Sequence, residues 1–199
     1  MEQISGIDEL RATLREVDRS RYPGVSGYTK AENWREMGPG GLYLVSLLAA
    51  SLDLRPNALA LDLGCGSATS SLYLADNCGA RVIAVDLWTD PADNAGRIES
   101  RGHRGDIIPL QLDAGQPLPF AEGYFDAILC VNNLNSYGTD LAVLDRIARH
   151  LKRGGVFCSG GECLNEEFTP EQLVHPPAVY SFDASVWKDD FLTSHSPAW

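Results

Sequence analysis

No C-x-x-C pair occurs in this 199-residue chain, and no cysteine stands at zinc-ligand spacing from any of the four histidines. A cysteine-held metal site is therefore not expected, and no other metal site suggests itself. The cysteines are Cys65, Cys78, Cys130, Cys158 and Cys163, an odd number. Three fall in or beside expected strands or a glycine turn. They read as free, buried thiols of a cytoplasmic protein rather than as a disulfide framework. Basic runs are equally scarce, for no Lys/Arg run exceeds Lys152-Arg153. Acids outnumber bases 27 to 16, a formal charge of −11, which argues against a nucleic-acid-binding surface. No apolar stretch approaches the roughly 20 residues that cross a bilayer, so no membrane partner is expected. The first 30 residues hold no signal-peptide core. Neither a repeat nor a low-complexity segment is present. With 44% apolar residues, the chain can build the core of one structural domain.

What the chain does contain is Leu59-Ala60-Leu61-Asp62-Leu63-Gly64-Cys65-Gly66-Ser67-Ala68-Thr69. An apolar run ends in an acid, then in two glycines one residue apart, then in Ser67, a helix-capping type. That pattern is a buried strand turning tightly into a helix. The glycines permit positive φ and let a ligand approach the backbone. The helix start is expected to present free N–H groups and its positive dipole end to a nucleotide-bearing small molecule.

The remainder alternates. Helical spacing runs from Ser5 to Val17, with Asp8 placed near a capping box, and ends at Tyr22-Pro23-Gly24. Gly38-Pro39-Gly40-Gly41 breaks the chain before a buried helix over 42–52. Strands are expected near 58–63, 81–86, 106–112, 125–131 and 156–159. Helices are expected near 67–77 and from Pro91, with Asp90 as its cap. Leu141, Leu144, Ala148 and Leu151 mark another, closed by Lys152-Arg153 and Gly154-Gly155. Apolar strands separated by helices mean a parallel sheet covered on both faces. From Glu162 to Trp199 the prolines break the rhythm.

Ligands of open parallel sheets bind at the carboxyl ends of the strands. The first end carries Asp62 and the glycine turn. The second carries Asp86, placed about 20 residues past the turn, where an acid can accept from both hydroxyls of a ribose. The third leads to Asp113-Ala114. The fourth leads to Asn132-Asn133-Leu134-Asn135-Ser136-Tyr137, three amides and two hydroxyls in six residues.

These segments resemble the class I S-adenosylmethionine-dependent methyltransferases. The glycine turn looks like the family's first motif, and Val82-Ile83-Ala84-Val85-Asp86-Leu87-Trp88 looks like its second strand. Leu112-Asp113-Ala114, Leu118-Pro119-Phe120 and Tyr124-Phe125-Asp126-Ala127-Ile128 match the adenine wall and the fourth strand. Leu151-Lys152-Arg153-Gly154-Gly155 matches the turn before the fifth. The flanks, with Pro39-Gly40-Gly41-Leu42 and Ser194-His195-Ser196-Pro197-Ala198-Trp199, look like a bacterial small-molecule branch.

The resemblance implies an α/β, Rossmann-like three-layer αβα sandwich with a mostly parallel sheet. It implies a helical lid or substrate-side segment at 1–57, an S-adenosylmethionine-binding core at 58–161 and an irregular substrate-side segment at 162–199. It assigns Asp62, Gly64 and Gly66 to the methionyl end, with Cys65 contributing backbone, and Asp86 to the ribose. Leu87 would pack on the adenine, Asp113 and Ala114 would border it, and Asn132 would line the sulfonium side. The family's last two strands, of seven, find no counterpart before Trp199, an unfinished edge through which copies could pair. Relatives of this branch often carry an Asp and a His where Asn132 and Asn135 stand.

The implied function is methyl transfer to a small-molecule acceptor, with S-adenosylmethionine as cofactor. If the acceptor needs a base, Glu162, His175 and His195 are candidates. Tyr28, Trp34 and Tyr137 could form an aromatic lid. Two alternatives remain open: a non-catalytic or truncated S-adenosylmethionine-binding module, and a nicotinamide-dependent oxidoreductase. Thr69 stands where the latter's third glycine or alanine would allow close helix packing, and no Tyr-x-x-x-Lys pair accompanies it.

Overall fold

A computed structural model describes residues 22, 24–28, 41–137 and 141–161. Five strands form one sheet: β1 (Leu59–Leu63), β2 (Arg81–Asp86), β3 (Ile107–Gln111), β4 (Phe125–Val131) and β5 (Leu151–Gly160). Their spatial order is β3-β2-β1-β4-β5 and every pairing is parallel. Helices are α1 (Gly41–Leu52), α2 (Thr69–Cys78), α3 (Pro91–Ser100) and α4 (Leu141–Ala148). β1 sits at the centre, and the strand order reverses between it and β4. That reversal opens a crevice at the carboxyl ends, the place where such sheets bind ligands.

Side-chain alternation sorts the core into two layers. Ala60, Val82, Ala84, Ala127 and Leu129 face α1 and α2, meeting Leu42, Val45, Ala49 and Leu72. Three of these strand positions are alanines, which lets helices lie close to the sheet. On the other face Leu61, Leu63, Ile83, Val85 and Ile128 meet Val143 and Ile147 of α4. Truncating a fully buried leucine such as Leu61 to alanine should cost about 2–5 kcal/mol. α1 thus belongs to a layer of the sandwich rather than to a lid, although the sequence placed it in the 1–57 segment.

Several boundaries follow expectation. β2 and β4 begin and end where their apolar runs do. Asp90 caps α3, its carboxylate accepting from the Ala92 amide at 2.8 Å, with Pro91 in the first turn.

α4 does not present the expected face. Among its described side chains Val143 and Ile147 are buried, while Leu144 is 39% exposed. The helix ends at Ala148, before Lys152-Arg153, and Leu151 already pairs with Phe125 in the sheet. The next aligned pair is Ala127 with Val156, so β5 carries extra residues as a bulge. Gly154, at φ +83°, lies in it. Lys152 is held there by Asp126, 2.8 Å from both carboxylate oxygens, and Asp126 also accepts from the Leu59 amide. The Lys152 hydrogen bond, then that of Leu59, keeps the Asp126 carboxyl below its usual range. Lys152 therefore links β5 to Asp126 of β4, which also holds β1, rather than closing a helix. The first helix expected before residue 22, and the irregular segment expected at 162–199, fall outside the described residues. Among the described residues no helix is long and apolar enough to cross a membrane.

Candidate functional site

After Leu63 the chain turns through Gly64 at φ +69° and Gly66 at φ +52°, the left-handed values the two-glycine spacing anticipates. The amides of the turn itself are engaged. Those of Gly64 and Cys65 both donate to the Val85 carbonyl, at 2.8 and 3.0 Å. The Gly66 amide donates to Asp86 Oδ2 at 2.9 Å. Strand β2 and its terminal acid consume them, and this is what locks the turn against the sheet. Nor is Ser67 the helix cap. Ala68 occupies that position in a left-handed conformation, and the Ser67 hydroxyl lies 3.3 Å from that of Thr69.

Asp86 is buried at the end of β2. Besides Gly66 it accepts from the amides of Trp88 and Thr89, each 2.9 Å from Oδ1. A carboxylate offers about four lone-pair sites. Three are used, and Oδ2 keeps one for a ligand hydroxyl.

Asp62 lies behind the turn, not on the cavity wall. Its Oδ2 accepts from the hydroxyls of Ser70 and Ser71, both at 2.6 Å. Burial raises its pKa to about 6, the two serine hydrogen bonds pull it back, and the Asp86 charge pushes it further up. It reaches the cavity only through Ser70, which does line it.

A cavity of about 360 Å³ opens at the carboxyl ends of β1, β2, β3 and β4. Every residue expected at the nucleotide site lines it except Asp62. Leu87 and Asp113 are exposed at its rim, while Ala114 is buried in its wall. Asn132 holds φ +61° and its Oδ1 is a buried acceptor with no hydrogen-bond partner among the described residues.

Sequence reasoning missed Asn94 and gave Asn133 no role of its own. Asn94 of α3, 2% exposed, donates to the Gly66 carbonyl at 2.9 Å and accepts from Arg97 at 2.6 Å. Nothing in the sequence marks an asparagine inside a helix as a brace for a turn in another element. Asn133 and Tyr137 sit over the turn itself. Asn133 Nδ2 donates to the carbonyls of Leu63 (3.1 Å) and Gly64 (2.8 Å), while its Oδ1 accepts from the Cys130 thiol at 2.8 Å. A Cβ added to Gly64 would collide with that amide and lie 2.6 Å from the Tyr137 hydroxyl. The amide-rich string after β4 was the available signal. Burial raises the pKa of Tyr137, and the thiols and carboxylates around it add to the effect, so it stays a neutral phenol.

Of the two described aromatics expected in a lid, Tyr137 lines the cavity and Tyr28 does not. Tyr28 is buried at the far end of α2. There it packs on Tyr73, donates to Asp76 at 2.7 Å and lies under the Arg101 guanidinium. Trp34, Glu162, His175 and His195 fall outside the described residues.

Residues 61–159 match the methyltransferase domain family. The chain belongs to the class I S-adenosylmethionine-dependent methyltransferases. It is 35% identical over 104 residues to a demethylmenaquinone methyltransferase of Corynebacterium efficiens, covering 52% of this chain and 41% of that protein. It is 34% identical over 132 residues to the enzyme of the same name from Beutenbergia cavernae, covering 66% and 50%. The chain thus spans half or less of the length of these relatives. Its fold is similar to a methyltransferase from Thiobacillus denitrificans solved with S-adenosyl-L-homocysteine. The TM-score is 0.59 at 22% identity, over 81% of this chain and 62% of that one. Family membership removes the nicotinamide-dependent oxidoreductase alternative.

Proposed function

We propose that the chain binds S-adenosylmethionine in the cavity at the strand ends and transfers a methyl group to a small-molecule acceptor. One observation carries this reading. Four strand ends converge on a single cavity at the strand-order reversal, and the buried carboxylate there, Asp86, is tied to the glycine turn yet keeps acceptor capacity. The residues fit the cofactor. About 360 Å³ lies within the size range of ligand sites. The orphaned Oδ1 of Asn132 is a buried acceptor awaiting a donor.

In this reading the remaining lone pair of Asp86 Oδ2 accepts from one hydroxyl of the ribose. Leu87 and Ala114 give apolar contact to the base, with Asp113 at its border. The turn's carbonyls face the amino-acid tail, and Asn132 stands beside the reacting sulfur. When bound, the cofactor supplies a methyl already activated on a sulfonium. The chain's own contribution is alignment and exclusion of water, which can supply roughly 7–11 kcal/mol of a two-body barrier. Asp86, tied by three amides, is built to hold a ligand rather than to shuttle a proton. An acceptor that ionises unaided is therefore the best match to the described residues. The relatives named for demethylmenaquinone support a small organic acceptor. The thiols of Cys65, Cys78, Cys130 and Cys158 are free, which fits the cytoplasm.

Calorimetric titration tests the reading. S-adenosylhomocysteine should bind one to one and NAD should not. Methylated product should then appear, by mass spectrometry, for some member of a panel of small phenols, quinols and carboxylates. Saturable NAD binding without S-adenosylhomocysteine binding would overturn it.

A further inference from the structure

The carbonyls of Leu63 and Gly64 lie side by side where β1 enters the turn, and both accept from one group, the Nδ2 of Asn133. The other end of that amide takes the Cys130 thiol. Asn133 is thus bonded at both ends, and the space over Gly64 is filled by it and by the Tyr137 hydroxyl. Both residues line the cavity. The preceding residue, Asn132, is in the left-handed region, a conformation that is unfavourable for most side chains and that asparagine tolerates.

A primary amide presents two N–H donors without charge. An ammonium presents three with charge, and charge-assisted hydrogen bonds are roughly twice as strong. Two such groups cannot occupy the same carbonyl pair. On the reading proposed above, on which this inference rests, the cofactor's amino-acid tail brings an ammonium to this place. We infer that Asn133 is an internal stand-in for the ligand's ammonium, displaced when a ligand bearing that group binds. It therefore sets how strongly the site discriminates between nucleosides with and without an amino-acid tail. A tailless nucleoside occupies the Asp86 side of the cavity and leaves Asn133 seated. A tailed one must break its bonds first, which lowers affinity by roughly 5- to 30-fold, taking about 1 kcal/mol for each net hydrogen bond broken.

The test compares S-adenosylhomocysteine with 5′-methylthioadenosine, which has the same nucleoside and sulfur but no amino-acid tail. Their dissociation constants are measured by calorimetry in the wild-type chain and in Asn133→Ala. The substitution should tighten S-adenosylhomocysteine at least 5-fold and leave methylthioadenosine within 2-fold. An unchanged or reversed selectivity would overturn the inference while leaving the cofactor site standing. Binding of neither ligand by either protein would remove both. Should Asn133→Ala fail to fold, the wild-type chain decides. Its Asn133 side-chain amide resonances should shift on saturation with S-adenosylhomocysteine and not with methylthioadenosine. Resonances unmoved by S-adenosylhomocysteine would refute the displacement.

Discussion

The Gly66 amide donates to Asp86 Oδ2 at 2.9 Å, joining the first strand's turn to the second strand's end. The acid thus has two tasks, holding the turn and leaving a lone pair for a ligand. Asp86→Asn keeps the shape but replaces one acceptor oxygen with a donor that opposes a backbone amide. S-adenosylhomocysteine affinity should fall roughly 10- to 100-fold, the range for hydrogen bonds to a charged group. Calorimetry measures it, and unchanged affinity would remove Asp86 from the site.

Asp62 makes stability depend on pH. Its native pKa of about 6 stands above the ordinary 3.8 because burial disfavours the charge. Between those values the native chain binds more protons than the unfolded one. Stability from this group is therefore full below about pH 4 and is lost as pH rises through about 6. The loss is on the order of 2–3 kcal/mol. Urea unfolding of the wild type and Asp62→Asn across pH 4–7 isolates it. The difference between the two proteins should shift in favour of Asp62→Asn as pH rises and level off above pH 7.

Gly64→Ala combines two penalties, a positive φ and a collision with the Asn133 amide. A loss of about 2–4 kcal/mol is expected by adding strain and overpacking. Adding Asn133→Ala removes the collision with the amide and leaves the positive φ and the close Tyr137 hydroxyl. The double variant should recover part of the loss, a coupling of at least about 1 kcal/mol in a urea double-mutant cycle. Strict additivity would show that the two residues do not share that space.

Tyr28→Phe removes the hydroxyl that Asp76 accepts and leaves the ring under Arg101. Burial raises the Asp76 carboxyl, but hydrogen bonds from His103, Tyr28 and Arg101 outweigh it and hold it below its usual range. Loss of one bond in that network should cost about 1 kcal/mol. Because the network lies at the far end of α2 from the cavity, S-adenosylhomocysteine affinity should not change. A change in affinity would restore Tyr28 to the lid.

The signals legible in the sequence were those a single element carries by itself. β2 and β4 are short apolar runs bounded by polar residues, and Asp90-Pro91 announces a helix start without help from the rest of the fold. The strand-end residues converged because a parallel sheet places all carboxyl ends on one side. What escaped were relationships between elements. Ser67 has the composition of a cap, yet the turn's geometry assigns that position to Ala68. Leu144 suits an apolar face, but the way α4 lies on the sheet turns Val143 and Ile147 inward instead. The bulge in β5 comes with a contact between Lys152 and Asp126, a pairing across 26 residues that no local pattern announces. Asn94 and Asn133 belong to the same class.

A crystal structure with S-adenosylhomocysteine bound tests the central claim most directly. The ribose diol should lie within hydrogen-bond distance of Asp86 and the amino-acid tail over Gly64, with Asn133 swung away from the Leu63 and Gly64 carbonyls. A nucleoside bound anywhere else, with Asn133 and Tyr137 still seated over the turn, would contradict the account.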